Sequence, residues 1–376
     1  MQPLAYLRKI TEFFSPTKTL MWVGGLVIVN AATAAEIKPF RLGVIKLNSA
    51  IDQTKPLAVA DSGGYIIKGE LVIGGFNKDF LTAWNYKFRH RAWWMPLDGE
   101  LSSPILTIEN NGFLGSRGGK IYSFNLTTGV PNWEVELDSH VERPLIFNDG
   151  KIYAISVGQV AYAIDAISGK RLWVFDAGFP DNITVKRPPA PIVTDGKLVF
   201  AVSSGDLIGV KIDDGKIAWK YNPMYVNSRF HDPVGEMSLN NGKLIFTRYD
   251  GLIAQVDMGD NRKMNWQATT ASISTSAYRS GKVFTGLVGG DVVAYDATNG
   301  RQLWRANCGA TPSFIVVGET SVFAIGTDGR VIALELAEGQ VLWTDDLGGI
   351  IASAPIVTED RMYISTGLRN IYGYKL

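Results

Sequence analysis

Cysteine and histidine are nearly missing from this chain. Its 376 residues hold one cysteine, Cys308, and three histidines, His90, His140 and His231. One cysteine cannot form an internal disulfide, so the fold does not depend on oxidation. The histidines lie in three separate stretches, and no pair has the spacing of a metal site. An excess of either charge is missing too. Lys+Arg total 37 and Asp+Glu 36, a net charge of +1, which gives no support to nucleic acid or an acidic surface as partner. The apolar run Leu20 to Val29 falls short of the about 20 residues that a membrane span needs. No helical period is seen, so no glycine-rich loop opens a helix on a phosphate. Glycine, at 40 residues, and aromatics, at 11%, are abundant instead. Together they suit short strands joined by tight turns.

Residues 1–34 read as a targeting segment. Arg8, Lys9 and Lys18 precede the apolar run, and Ala31-Ala32-Thr33-Ala34-Ala35 follows it, the order of a secretory signal cut after Ala34. An uncleaved inner-membrane anchor is the alternative. Either way residues 35–376 are expected outside the cytoplasm, in the periplasm. No cysteine stands near the cut, so no lipid can be attached there through a thioether.

A repeat organises the rest. GQVAYAIDAISGKRLW ends at Trp173, GDLIGVKIDDGKIAW at Trp219, GDVVAYDATNGRQLW at Trp304 and GRVIALELAEGQVLW at Trp343. Weaker copies end at Trp133 and Trp266, and the most divergent at Trp94. The spacings from Trp94 onward are 39, 40, 46, 47, 38 and 39, about the length of a four-stranded propeller blade. Residues 191–219 show the strands: apolar stretches separated by Asp195-Gly196, Ser204-Gly205-Asp206 and Asp213-Asp214-Gly215. Such turns predict antiparallel hairpins and no helix. The tryptophans Trp94, Trp133, Trp173, Trp219, Trp266, Trp304 and Trp343 are read as packing between blades, and the acids before the turn (Asp165, Asp257, Asp296, Glu335) as acceptors of turn amides. Cys308, in RANCGA near Arg305, reads as a small, partly buried residue. The last copy supplies three strands and no tryptophan. Phe40 to Leu47 is expected to add the fourth, closing an all-β, eight-bladed propeller of four-stranded antiparallel blades without free edges.

The motif from Ala163-Ile164-Asp165 through Gly169 to Trp173 resembles the quinoprotein repeat. Over residues 40–376 the chain looks like the BamB proteins of the outer-membrane barrel assembly machinery. That resemblance implies a non-catalytic periplasmic scaffold, without cofactor or metal, acting as a monomer within a complex. Its partner would be the barrel-building subunit. Ile183, Val185 and Lys186 fall on the family's docking positions. The next inter-blade loop carries acidic docking residues in the family, whereas here only Asp232 is acidic and its register is shifted. Many family members are lipoproteins, and this chain departs from them in lacking the cysteine. The other readings are a dehydrogenase dependent on pyrroloquinoline quinone and a scaffold of another envelope complex. The known quinone enzymes would imply an acidic base, calcium-binding oxygens and a vicinal cysteine pair, and the pair is absent.

The two long spacings come from extra residues at 179–190 and 222–233, each between one blade's last strand and the next blade's first. They should share one rim. Loops of this length are more often functional than not. Lys186, Arg187 and Arg229 would make that rim basic, with Ile183, Val185, Tyr225 and Phe230 as apolar anchors. The stretch Lys87 to Trp94 mixes bases with aromatics. Read alone it suits an anionic partner, and read within the repeat it is a solvated turn.

Overall fold

Tight turns set the hairpins. Asp149-Gly150, Asp195-Gly196, Asn241-Gly242 and Ser280-Gly281 all have positive φ at both residues, the conformation a two-residue hairpin loop needs. The computed structural model describes residues 26–27, 41–46, 64–77, 79–88, 90–178, 189–223, 230–259, 262–351, 353–357, 361–366 and 370–376. These residues form strands and turns, with no helix among them.

Eight antiparallel sheets follow in chain order. Blade 1 uses Tyr65–Lys68, Leu71–Asn77, Phe80–Asn85 and His90–Pro96. The fourth strands of blades 2 to 7 are Pro131–Glu136, Arg171–Asp176, Ile217–Tyr221, Met264–Thr269, Gln302–Asn307 and Val341–Asp346. Blade 8 contains Ile356–Val357, Arg361–Ser365 and Asn370–Lys375. Arg41–Lys46 pairs antiparallel with Asn370–Lys375, and Leu26–Val27 pairs with Val44 and Ile45 at the outer edge. First strands touch across blades, Pro233–Asn240 against Ile273–Arg279 and Ile273–Arg279 against Pro312–Val317. They therefore form the inner ring, and the fourth strands lie outermost.

The core lies between sheets. Buried Ile152, Tyr153, Ile155, Ala161 and Trp173 of blade 3 belong to apolar layers shared with neighbouring blades, as Leu198, Phe200 and Val210 do for blade 4. The repeat motif works across this boundary. Trp133, Trp173, Trp266 and Trp304 each cover the turn glycine of the following blade. A Cβ on Gly169, whose φ is 72°, would sit 2.7 Å from Trp133, and one on Gly300 would sit 2.5 Å from Trp266. The indole Nε1 then donates to a carbonyl in the same turn: Trp133 to Ala166 at 3.1 Å, Trp173 to Ile212 at 2.8 Å, Trp266 to Ala297 at 3.0 Å and Trp304 to Leu336 at 3.2 Å. Burying such a side chain stabilises by roughly 4–6 kcal/mol before ordering entropy is subtracted. Blade 5 departs from the pattern. Its turn brings Arg262 to Trp219, with the guanidinium carbon 4.9 Å from the ring centre.

The acid ahead of each turn caps it. Asp165 Oδ1 accepts from the amides of Ile167 (3.2 Å) and Ser168 (2.7 Å), and Asp296 accepts from Thr298 N at 2.7 Å. Hydrogen bonds from the Ser168 and Thr298 side chains, with these amides, hold the two carboxyls below the usual carboxylate range.

One marker is corrected. Trp94 is 49% exposed, while Trp93 is buried and meets Gly129 of blade 2. Trp93 pairs with Ala83 just as Trp173 pairs with Ala163. The adjacent pair of tryptophans hides which one faces the neighbour, because successive strand residues point to opposite sides.

Candidate partner-binding rim

In a four-stranded antiparallel blade, the chain leaves strand two and strand four at the same end. The loops joining second to third strands therefore share a face with the connections between blades. The strands flanking both insertions end and resume at this face, Arg171–Asp176 and Ile192–Thr194 for the first and Ile217–Tyr221 and Pro233–Asn240 for the second. Ile183, Val185, Lys186, Arg187, Tyr225 and Arg229 lie outside the described residues. Phe230 and Asp232 lie within them.

The second insertion is held at both ends by buried charge. On the entering side, Asp206 is buried and accepts from Ser204 Oγ and Asn222 Nδ2, each at 2.5 Å, with Lys220 Nζ at 2.9 Å. Arg248, only 2% exposed, donates to the Pro223 carbonyl at 3.4 Å and grips Asp250 through Nε at 3.1 Å. On the returning side, His231 Nδ1 stands 3.1 Å from Arg248 Nη2 and 3.2 Å from Asp250 Oδ2. A buried ion pair is costly to strip from water and depends on close geometry. Arg248 and Asp250 therefore fix the ends of the loop more firmly than exposed pairs would. Phe230 meets Tyr249 edge-on at 6.4 Å.

Asp232 requires a correction. Its side chain was expected at a docking surface, yet the residue is 1% exposed and its carbonyl accepts from Tyr249 N at 2.8 Å. It belongs to the base of the loop. Sequence reading missed Arg248, the last residue of the strand Lys243–Arg248, and Asp250 and Asp206, which lie in second-to-third-strand turns of the ordinary repeat. Nothing in their local sequence distinguishes them, since their role arises from proximity to an insertion elsewhere in the chain.

The same face carries a second network in blades 2 and 3. Arg117 lies 3.4 Å from Glu142 and 3.6 Å from Glu100, and His140 Nε2 lies 2.8 Å from Glu142. Arg143 and Glu236 sit toward the inner ring. Arg143 is half-buried and Glu236 is exposed to solvent, yet the protein crowded around them lowers the guanidinium and raises the carboxyl, and the attraction between their charges opposes both shifts.

Among the described residues, no three His, Cys, Asp or Glu gather as a metal would need. Cys308 is buried, and burial, aided by the Asp291 charge, pushes its thiol up to about 11. It has no second cysteine to pair with.

A family model described as outer membrane protein assembly factor BamB matches residues 67–287 and 288–375. The outer membrane protein assembly factor BamB of Shewanella oneidensis is 23% identical over 308 residues, covering 77% of this chain and 74% of that protein. A 1-butanol dehydrogenase (quinone) of Thauera butanivorans is 31% identical over 106 residues, covering 26% of this chain and 16% of the enzyme. The crystal structure of BamB from Moraxella catarrhalis superposes with a TM-score of 0.73 at 17% identity, covering 89% of this chain and 99% of that one.

Proposed function

Because the chain belongs to the family of the outer membrane protein assembly factor BamB, we propose that it is a non-catalytic periplasmic scaffold in the assembly of outer-membrane β-barrel proteins. It docks through the loop rim of blades 3 to 5 onto the barrel-building subunit of that machinery. What supports the rim is that the strands flanking both insertions end and resume at one face, with Arg248, Asp250, Asp206 and His231 joining the described ends of the second. Anchoring a long loop lowers the ordering entropy that binding would otherwise cost. Ile183, Val185, Lys186, Arg187, Tyr225, Arg229 and Phe230 supply the contacts. Asp232 acts from beneath them.

The enzyme reading rests on relatives that match only a quarter of the chain. Its cofactor finds no fitting donor set among the described residues, so no catalytic step is assigned.

A pull-down with the barrel-building subunit as bait tests the rim. Val185→Glu combined with Arg229→Glu should reduce recovery at least about tenfold, in keeping with the loss of two central contacts. Equal recovery of variant and wild type would remove the docking assignment.

A further inference from the structure

The outer edge of blade 1 carries a surface that the propeller does not need. In His90–Pro96, Trp93 and Met95 are buried while Ala92, Trp94 and Pro96 are exposed. Phe80, 38% exposed, meets Trp94 edge-on at 5.1 Å, and the Arg91 guanidinium lies 5.9 Å from the Trp94 ring centre. At the hairpin end, Phe88 is 63% exposed and stacks on His90 at 6.4 Å, with Lys87 Nζ 5.5 Å from its ring. The residues that follow the marker tryptophan in the other blades are Glu134, Val174, Lys220, Gln267, Arg305 and Thr344. None is aromatic, so blade packing does not account for Trp94.

Basic residues outnumber acids along this strand and its turn. Tyr86 to Met95 contains Lys87, Arg89, His90 and Arg91 and no acid. Among the described residues, Glu70 pairs with Lys87 at 2.9 Å, and Asp79 stands beside Phe80 in the chain. Exposed indole and phenyl rings beside cations match the boundary between acyl chains and anionic headgroups.

Chain direction points the same way. Arg41–Lys46 lies in blade 8, and the next strand along the chain, Tyr65–Lys68, opens blade 1. The strand Arg41–Lys46 thus joins the ring in the blade next to blade 1. Trp93 packs on blade 2, so Trp94 points to the blade 8 side.

We propose that the outer edge of blade 1, through Phe80, Phe88, Arg91 and Trp94, rests on the anionic surface of a lipid bilayer. The contact turns the ring edge-on to the membrane. It is separate from the loop rim and does not depend on partner docking there.

Vesicle binding by the full chain tests this. The protein is sedimented with phosphatidylcholine vesicles with and without phosphatidylglycerol, alongside Arg91→Glu and Trp94→Phe variants whose thermal midpoints match wild type. Arg91→Glu should lower partitioning onto the anionic vesicles at least about fivefold and leave the neutral ones unchanged. Lipids brominated on the acyl chain should quench a component of tryptophan emission that Trp94→Phe lacks, the contribution of Trp22 being common to both proteins. Equal partitioning of wild type and Arg91→Glu, or equal quenching of wild type and Trp94→Phe, would overturn the proposal. So would a lipid-free dimer in sedimentation velocity that Trp94→Ser abolishes, because the surface would then belong to a second copy of the chain.

Discussion

Single side chains divide sharply into those that hold blades together and those left for other work. Gly169 has no room for a Cβ against Trp133, whereas Gly150, with nearly the same φ, has nothing within 4 Å. Gly150→Ala should therefore cost about 1 kcal/mol, the backbone penalty alone. Gly169→Ala should cost about 2 kcal/mol more through displacement of the indole. Urea unfolding midpoints of the two variants measure the difference. Trp93→Ala should cost about 3–5 kcal/mol, and Trp94→Ala less than about 0.5 kcal/mol. Similar losses at both positions would contradict the corrected marker. Cys308 makes a chemical test. Its folded thiol lies near 11, above its ordinary value of 9.0, so folding favours the protonated form. That contribution is present below pH 9 and is lost as pH rises from 9 through 11. Alkylation at pH 8 should be slow in the folded protein and rapid in urea.

Elements carry the account of why the sequence was readable. Strand and turn positions are local, so segments such as Lys197–Ala201 with Asp195-Gly196 show in a short window of sequence. The tryptophan period reflects a contact between neighbouring blades that Trp93, Trp133, Trp173, Trp266 and Trp304 repeat. The first blade misled because Trp93 and Trp94 stand side by side and only the neighbouring blade distinguishes them. The rim was legible as extra length at 179–190 and 222–233. Its anchors, Arg248 and Asp250, were not, because an ion cluster assembled from separate turns leaves no period. Asp232 misled for the same reason, its acidity suggesting exposure where the fold buries it. We propose that Arg41–Lys46, paired with Asn370–Lys375, is the strand that closes the ring. A chain beginning at residue 48 should then melt lower and self-associate through the exposed edge of Asn370–Lys375. Unchanged melting and a monomeric sedimentation coefficient would contradict closure by this strand.

At the scale of the whole molecule, a ring of eight sheets leaves its faces free for loops and its perimeter free for surfaces. We propose that the loop rim and the blade 1 edge use these two freedoms separately, one for a protein partner and one for lipid. Saturating pyrroloquinoline quinone with calcium should leave the thermal midpoint unchanged, since a ligand that binds only the folded state at a hundred times its Kd adds about 2.7 kcal/mol. A rise of several degrees would revive the enzyme reading. The central claim is that this propeller is a scaffold of outer-membrane barrel assembly. Its most direct test is affinity purification of the tagged full chain from detergent-solubilised cell envelopes, with co-purifying proteins quantified by mass spectrometry. The account predicts the barrel-building subunit and its associated assembly factors in near-stoichiometric recovery. Recovery of a different envelope complex, with the barrel-assembly subunits at background, would contradict it.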